Sequence, residues 1–210
     1  MPRPKRSNPL ALAVLSCLSE APAHPYELAT TLRERGKQES IRLNYGSLYS
    51  VVEQLEKAGL IRPLETIRDG RRPERTVYEL TDSGRNEHDE WLAELLSTPI
   101  KEFPAFEAAL SLMPGLPPEE VVRLLRSRRT ALEMALAGSR SALELARQQQ
   151  LPRLFLIEEE YRLSLIATES GFVSQLIGDI ESDRLEGLSH WREFIRLSRS
   201  RGDAPGKPPD

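Results

Sequence analysis

One short β-favouring interlude interrupts a chain that otherwise reads as helix after helix, and it constrains the fold more than any other feature. Arg62–Arg68 and Thr76–Leu80 carry Thr66, Ile67, Thr76, Val77 and Tyr78, separated by Asp69-Gly70-Arg71-Arg72-Pro73-Glu74-Arg75. Asp-Gly between two such runs is a strong hairpin signal, because both residues accept the positive φ angles of a tight turn.

Proline and glycine divide the rest into helices. A first helix over about Pro9–Ser19 places Leu10, Val14, Leu15 and Leu18 on one face, and Pro22 and Pro25 follow it. A second, about Tyr26–Arg35, buries Leu28, Ala29 and Leu32 and stops at Gly36. The third starts after Asn44, a good N-cap residue, and runs to Ala58 with Leu48, Val51, Val52 and Leu55 on its apolar face. Beyond the hairpin, Thr81 or Asp82 caps a fourth helix over about Ser83–Ser97, carrying Trp91, Leu92, Leu95 and Leu96. The first two helices cannot build a sizeable core alone; the third helix and the hairpin complete it.

Three short helices followed by a hairpin are the parts of a winged helix-turn-helix. The core leaves one face of the third helix free, and a B-DNA major groove, about 12 Å wide, accepts one helix. That face and its entrance carry Asn44, Tyr45, Ser47, Tyr49, Ser50 and Gln54, with no carboxylate before Glu53. Hydroxyls suit phosphate oxygens, and Gln54 suits a base edge. At the wing tip Arg71, Arg72 and Arg75 offer cations to the backbone or minor groove, and Lys5 and Arg6 add a basic arm. Tyr49 is balanced between a core and a surface position, whereas the alternation of its strand puts Tyr78 in the core.

The net charge of −3 hides an asymmetry: residues 1–85 hold 14 basic against 11 acidic groups, and residues 86–210 hold 15 against 21. A mildly basic front and an acidic back suit a DNA reader joined to a domain with another task.

The stretches His24-Pro25-Tyr26-Glu27-Leu28, Gly46-Ser47-Leu48-Tyr49 and Leu55-Glu56-Lys57-Ala58-Gly59-Leu60-Ile61 resemble PadR-type transcriptional regulators. So does the run from Gly70 through Thr76-Val77-Tyr78-Glu79-Leu80-Thr81-Asp82-Ser83-Gly84. The resemblance covers roughly residues 9–97. It implies a winged-helix homodimer binding an inverted repeat of double-stranded DNA, usually as a repressor and often released by a small molecule. It also implies recognition-helix and wing roles for Ser47, Tyr49, Ser50, Arg72 and Arg75.

The remaining chain reads as a helical domain. Residues 98–118 form a proline-broken connector with a short helix near Phe106–Leu112. Long helices follow over about Glu119–Gln149 and Arg153–Ile180, and a third runs from Arg184 to about Ser198. Apolar stripes through Val121, Leu125, Leu132, Ala135, Ala142 and Ala146, and through Leu154, Tyr161, Leu165, Phe172, Leu176 and Ile180, need burial. Two chains packing together is the economical solution, with Trp91 contributing. The domain expectation is therefore a winged helix over 1–97, a connector over 98–118, a helical dimerisation and effector region over 119–200, and a disordered tail over 201–210. The fold class is mainly α with one small β-hairpin. No effector site is assigned.

An enzyme is disfavoured: His24, His88 and His190 lie far apart, and there is no P-loop, dinucleotide fingerprint or metal-ligand pair. No cofactor or metal is expected. The single cysteine, Cys17, excludes an intramolecular disulfide, and no apolar run is long enough to span a bilayer. Arg3, Lys5 and Arg6 precede an ordinary helix without a cleavage pattern, so a cytoplasmic protein is expected. The alternative to a regulator is a protein-interaction adaptor that uses the winged helix without DNA.

Overall fold

The computed structural model describes residue 6, residues 8–67 and residues 75–202; the side chains of 66, 67, 75 and 199–202 are not described. The chain divides into two compact units, Met1–Glu102 and Phe103–Asp210.

The first unit contains α1 (Pro9–Glu20), α2 (Pro25–Glu34), α3 (Tyr45–Lys57), β1 (Ile61–Ile67), β2 (Arg75–Leu80) and α4 (Asp82–Ser97). Asn8 opens α1 by accepting a hydrogen bond from the Leu10 amide at 3.1 Å, with Pro9 in the first turn, where no N–H is needed. Burial of α1 is far wider than the one face expected: Leu10 through Leu15, Cys17 and Leu18 are all buried. A helix apolar all round belongs at the centre of a core. Accordingly α1 touches α2, α3, β2 and α4. Burial also pushes the Cys17 thiol up from its ordinary pKa.

The expected hairpin forms. β1 and β2 pair antiparallel from Ile61↔Leu80 to Ile67↔Arg75, with a register shift between Pro63 and Glu65 that leaves Leu64 unpaired. Proline fits here because, among the described residues, β1 has no strand on its other side. The Asp69-Gly70 turn lies outside the described residues. On its far side β2 meets Ala23, whose backbone exchanges two 3.0 Å hydrogen bonds with Tyr78.

The hairpin is tied to the end of α3 through the Leu60 carbonyl. It accepts from the Thr81 amide at 3.1 Å; the Thr81 hydroxyl lies between the Gly59 carbonyl at 2.8 Å and the Leu60 carbonyl at 3.0 Å, and itself accepts from the Gly84 amide and so caps α4. A Cβ on Gly84 would stand 1.9 Å from the Leu60 oxygen. The requirement at Gly84 is therefore close approach of two backbones rather than an unusual φ.

Two expectations need correction in this unit. Trp91 is only 2% exposed and belongs to the core of the first unit, on the helix that meets α1, so it has no surface to give to a dimer. Arg6 does not project as a basic arm. Its guanidinium donates to Glu87 Oε1 at 2.7 Å, Glu90 Oε2 at 2.8 Å and Glu94 Oε2 at 2.6 Å, three carboxylates on one face of α4. Glu87 is buried, and a buried carboxylate needs a counter-charge.

The second unit holds α5 (Ala105–Leu112), α6 (Pro118–Gln148), α7 (Ile157–Glu181) and α8 (Leu188–Gly202). The 31-residue α6 packs along α7. Its buried line runs through Val121, Leu125, Leu136 and Leu143 rather than Ala135 and Ala142, because 3.6 residues per turn drift away from a strict seven-residue repeat. In α7 the buried positions are Val173, Ile177 and Ile180, leaving Tyr161, Leu165 and Phe172 exposed. α8 begins at Leu188 instead of Arg184, after Asp183 and Gly187 take positive φ angles of 55° and 85°. Trp191 anchors it, donating from Nε1 to the Leu116 carbonyl at 2.8 Å.

Replacing Gly84 with alanine should lower the unfolding free energy by about 3 kcal/mol, the upper end for an overpacked site. Urea unfolding measures it, and an unchanged midpoint would show that the α4 start does not press on Leu60.

Candidate nucleic-acid interface

The exposed face of α3 follows from how the helix is started and what it buries. Asn44 takes an extended backbone, and its Oδ1 accepts from the Ser47 amide at 2.7 Å. Leu48, Val51, Val52 and Leu55 turn inward. The helical period then forces Tyr45, Tyr49, Ser50 and Gln54 outward, with Ser47 half-buried. Tyr49 is 49% exposed, so it is a surface residue and not a core aromatic. Tyr78 is only half-buried; its hydroxyl donates to Glu56 Oε2 at 3.3 Å, and burial together with Glu56 raises its pKa.

Beside this face α3 and β2 form a groove of about 370 Å³ lined by Tyr49, Ser50, Glu53, Glu56, His24 and Thr76, among others. It brings Tyr49 and Ser50 together with the start of α2. Its carboxylates are partly engaged: Lys57 Nζ donates to Glu53 Oε1 at 2.5 Å and holds that carboxyl below its usual pKa. Gln54 shares the outer face of α3 but does not line the groove. Of the expected wing and arm residues, Lys5, Arg71 and Arg72 lie outside the described residues, and Arg75 is placed in β2 by its backbone alone.

Three residues at this surface were not singled out from sequence. Tyr26, in the first turn of α2, stacks on Tyr45 with ring centroids 6.2 Å apart and planes 10° from parallel. Arg33, seven residues on, sets its guanidinium 4.3 Å from the Tyr45 ring centroid and donates from Nη1 to the Tyr45 hydroxyl at 2.5 Å. Arg42 is exposed just before Asn44. The i to i+7 spacing of Tyr26 and Arg33 was visible, but their convergence on Tyr45 depends on the α2–α3 packing angle. Ahead of them His24 caps α2: Nδ1 accepts from the Tyr26 amide at 3.1 Å, while Glu27 accepts from the His24 amide at 2.9 Å.

A second constellation has the outline of a hydrolytic triad. Ser16 Oγ lies 2.9 Å from His88 Nε2, and His88 Nδ1 lies 2.8 Å from Asp89 Oδ1. With a neutral ring, Nδ1 donates to the carboxylate and Nε2 accepts from the hydroxyl. Ser16 sits inside α1, where neighbouring amides are spent on helical bonds and cannot form an oxyanion hole. The contact is a strut between α1 and α4. Among the described residues no acidic, histidine or cysteine group is arranged to hold a metal, and no helix is long and apolar enough to cross a membrane.

Residues 14–90 match the model of the transcriptional regulator PadR-like family, covering α3, its caps and the hairpin. Over that stretch the chain is similar to the PadR-like transcriptional regulators. Solved structures share the fold over most of the chain. Bacillus subtilis PadR in complex with operator DNA is 18% identical, with a TM-score of 0.67 over 82% of this chain and 99% of that one. The same Bacillus subtilis protein in complex with p-coumaric acid is 17% identical, with a TM-score of 0.65 over 82% and 98%. A PadR-like regulator from Bacillus cereus is 16% identical, with a TM-score of 0.57 over 83% and 99%. No curated protein sequence matches the chain. The PadR-like fold accounts for the mainly α architecture with one antiparallel hairpin.

Since the Asn44 side chain caps α3, Asn44→Ala should cost about 1 kcal/mol, and Asn44→Ser should restore most of it. Equal unfolding midpoints for the wild type and the alanine variant would remove the cap from the account.

Proposed function

We propose that this chain is a homodimeric transcriptional repressor that binds an inverted repeat of double-stranded DNA and is released by a small-molecule effector. The observation that carries the reading is the outer face of α3: exposed Tyr49, Ser50 and Gln54 on a helix capped at its entrance and flanked by a hairpin. Gln54 acts on a base edge, and Ser47, Tyr49 and Ser50 supply hydroxyls to phosphate or bases. Arg71, Arg72 and Arg75 serve the wing. The proposed site of action is the cytoplasm.

Dimerisation is supported by the second unit. Tyr161, Leu165 and Phe172 make an exposed apolar stripe on α7, and Met134 and Leu145 are exposed on α6. Stripes of this size on a single chain call for a partner surface, and a second copy supplies one under two-fold symmetry. Effector release is supported by the shared fold with a PadR solved with p-coumaric acid, and no effector site in this chain follows from that likeness.

A gel shift with the duplex upstream of the protein's own gene, at two salt concentrations, tests DNA binding. Specific binding that weakens steeply with salt is expected; its absence favours the adaptor. Arg72→Ala should weaken all duplexes and lower the salt slope by about 1, whereas Gln54→Ala should relax preference at particular bases by about 1–3 kcal/mol. Light scattering should give a dimer at micromolar concentration. Tyr161→Glu combined with Leu165→Glu should give a folded monomer, and a wild-type monomer would end the dimer proposal.

A further inference from the structure

We infer that Arg33, held by Tyr45 and flanked by Tyr26, is a backbone-phosphate clamp at the entrance of α3, and that Tyr45 positions it instead of reading bases. The inference rests on the DNA-binding reading and adds three roles to it.

Three of the described arginines of the first unit are matched with carboxylates. Arg35 pairs with Glu20, Arg62 with Glu79, and Arg6 with three glutamates. Arg33, Arg42 and Arg85 have no such partner among the described residues, and of these three Arg33 is the one held by an aromatic ring. Arg33 is exposed, and its contacts are the Tyr45 ring and hydroxyl. Glu34 and Glu39 lie nearby in sequence, yet neither takes its guanidinium. A cation kept in one place by an aromatic face, with its charge uncompensated, is prepared for an anion from outside.

The anion follows from position. Tyr26, Thr30 and Arg33 share the outer face of α2, opposite buried Leu28, Ala29 and Leu32. Their common neighbour Tyr45 is the first residue of α3. In helix-turn-helix docking the recognition helix enters the groove by its N-terminal residues while the preceding helix crosses the sugar–phosphate backbone. A guanidinium at this junction meets a phosphodiester, with Tyr26 stacked on the Tyr45 ring that holds it. Arg42, also without a carboxylate partner among the described residues, adds charge on the other side of the turn. Such a contact sets register and strength and carries no sequence information.

The test uses the full-length protein with two duplexes, the upstream region of its own gene and an unrelated sequence of equal length, titrated over a range of salt. Circular dichroism first confirms that each variant is folded. Arg33→Ala should weaken both duplexes by a similar factor, roughly ten-fold, and reduce the salt slope by about 1. Tyr45→Leu should weaken both duplexes too, and the Arg33→Ala, Tyr45→Leu double variant should bind no worse than Arg33→Ala alone. A wild-type slope in Arg33→Ala, or a loss confined to one duplex, overturns the clamp while leaving the DNA reading intact. Additive losses in the double variant overturn the positioning role of Tyr45. Wild-type protein that binds neither duplex overturns the DNA reading itself, and the clamp with it.

Discussion

The carbonyl oxygen of Leu60 is where the reading head is joined. It receives the amide of Thr81 and shares that residue's hydroxyl with the Gly59 carbonyl, and Gly84 presses against it from the start of α4. The acceptor lies two residues past the Ala58 cap of α3, while both donors belong to Thr81, the residue between β2 and α4. The turn after α3 is thereby tied to the residue that follows the hairpin, and the Tyr78 hydroxyl on Glu56 adds a second link between helix and strand. Without that joint, α3 would still be amphipathic and the strands could still pair, but the outer face of α3 and the wing would have no fixed relation.

The second unit solves a different problem. Its helices are long and carry more apolar surface than one antiparallel pair can cover. Val173, Ile177 and Ile180 are used against α6 and α8, while Tyr161, Leu165 and Phe172 are left over. Ion pairs between α6 and α7, such as Arg128 with Glu169 at 2.5 Å, line the margin of the pairing. Exposed pairs of this kind contribute little to stability and more to which faces meet.

Much of the first unit was legible because its signals are local. Asn44, Thr81, Gly36 and Gly59 mark helix ends by their own chemistry, and the β-favouring residues around Asp69-Gly70 announce a hairpin without knowledge of the rest. What could not be read depends on three-dimensional packing. Trp91 looked like dimer surface until α1 proved to be wrapped on all sides. Arg6 read as a free cation because its partners lie eighty or more residues away on α4. In α7 apolar residues occur on more than one face, so periodicity alone could not say which stripe faces α6. The outer face of α3 was readable from its period; the Tyr26–Tyr45–Arg33 contacts were not, since two helices must first cross.

The Ala23–Tyr78 bridge gives the first unit one more property. Strand β2 is joined to β1 along its length, to the residue just ahead of α2 by two backbone hydrogen bonds, and to the end of α3 through Leu60. Tilting α2 strains the bonds between Ala23 and Tyr78, and tilting α3 strains the Leu60–Thr81 contact at the end of the same strand. The internal degrees of freedom of the reading head are thus already spent on folding, and the entropy lost on meeting a duplex falls mainly on surface side chains and on the motion of the unit as a whole.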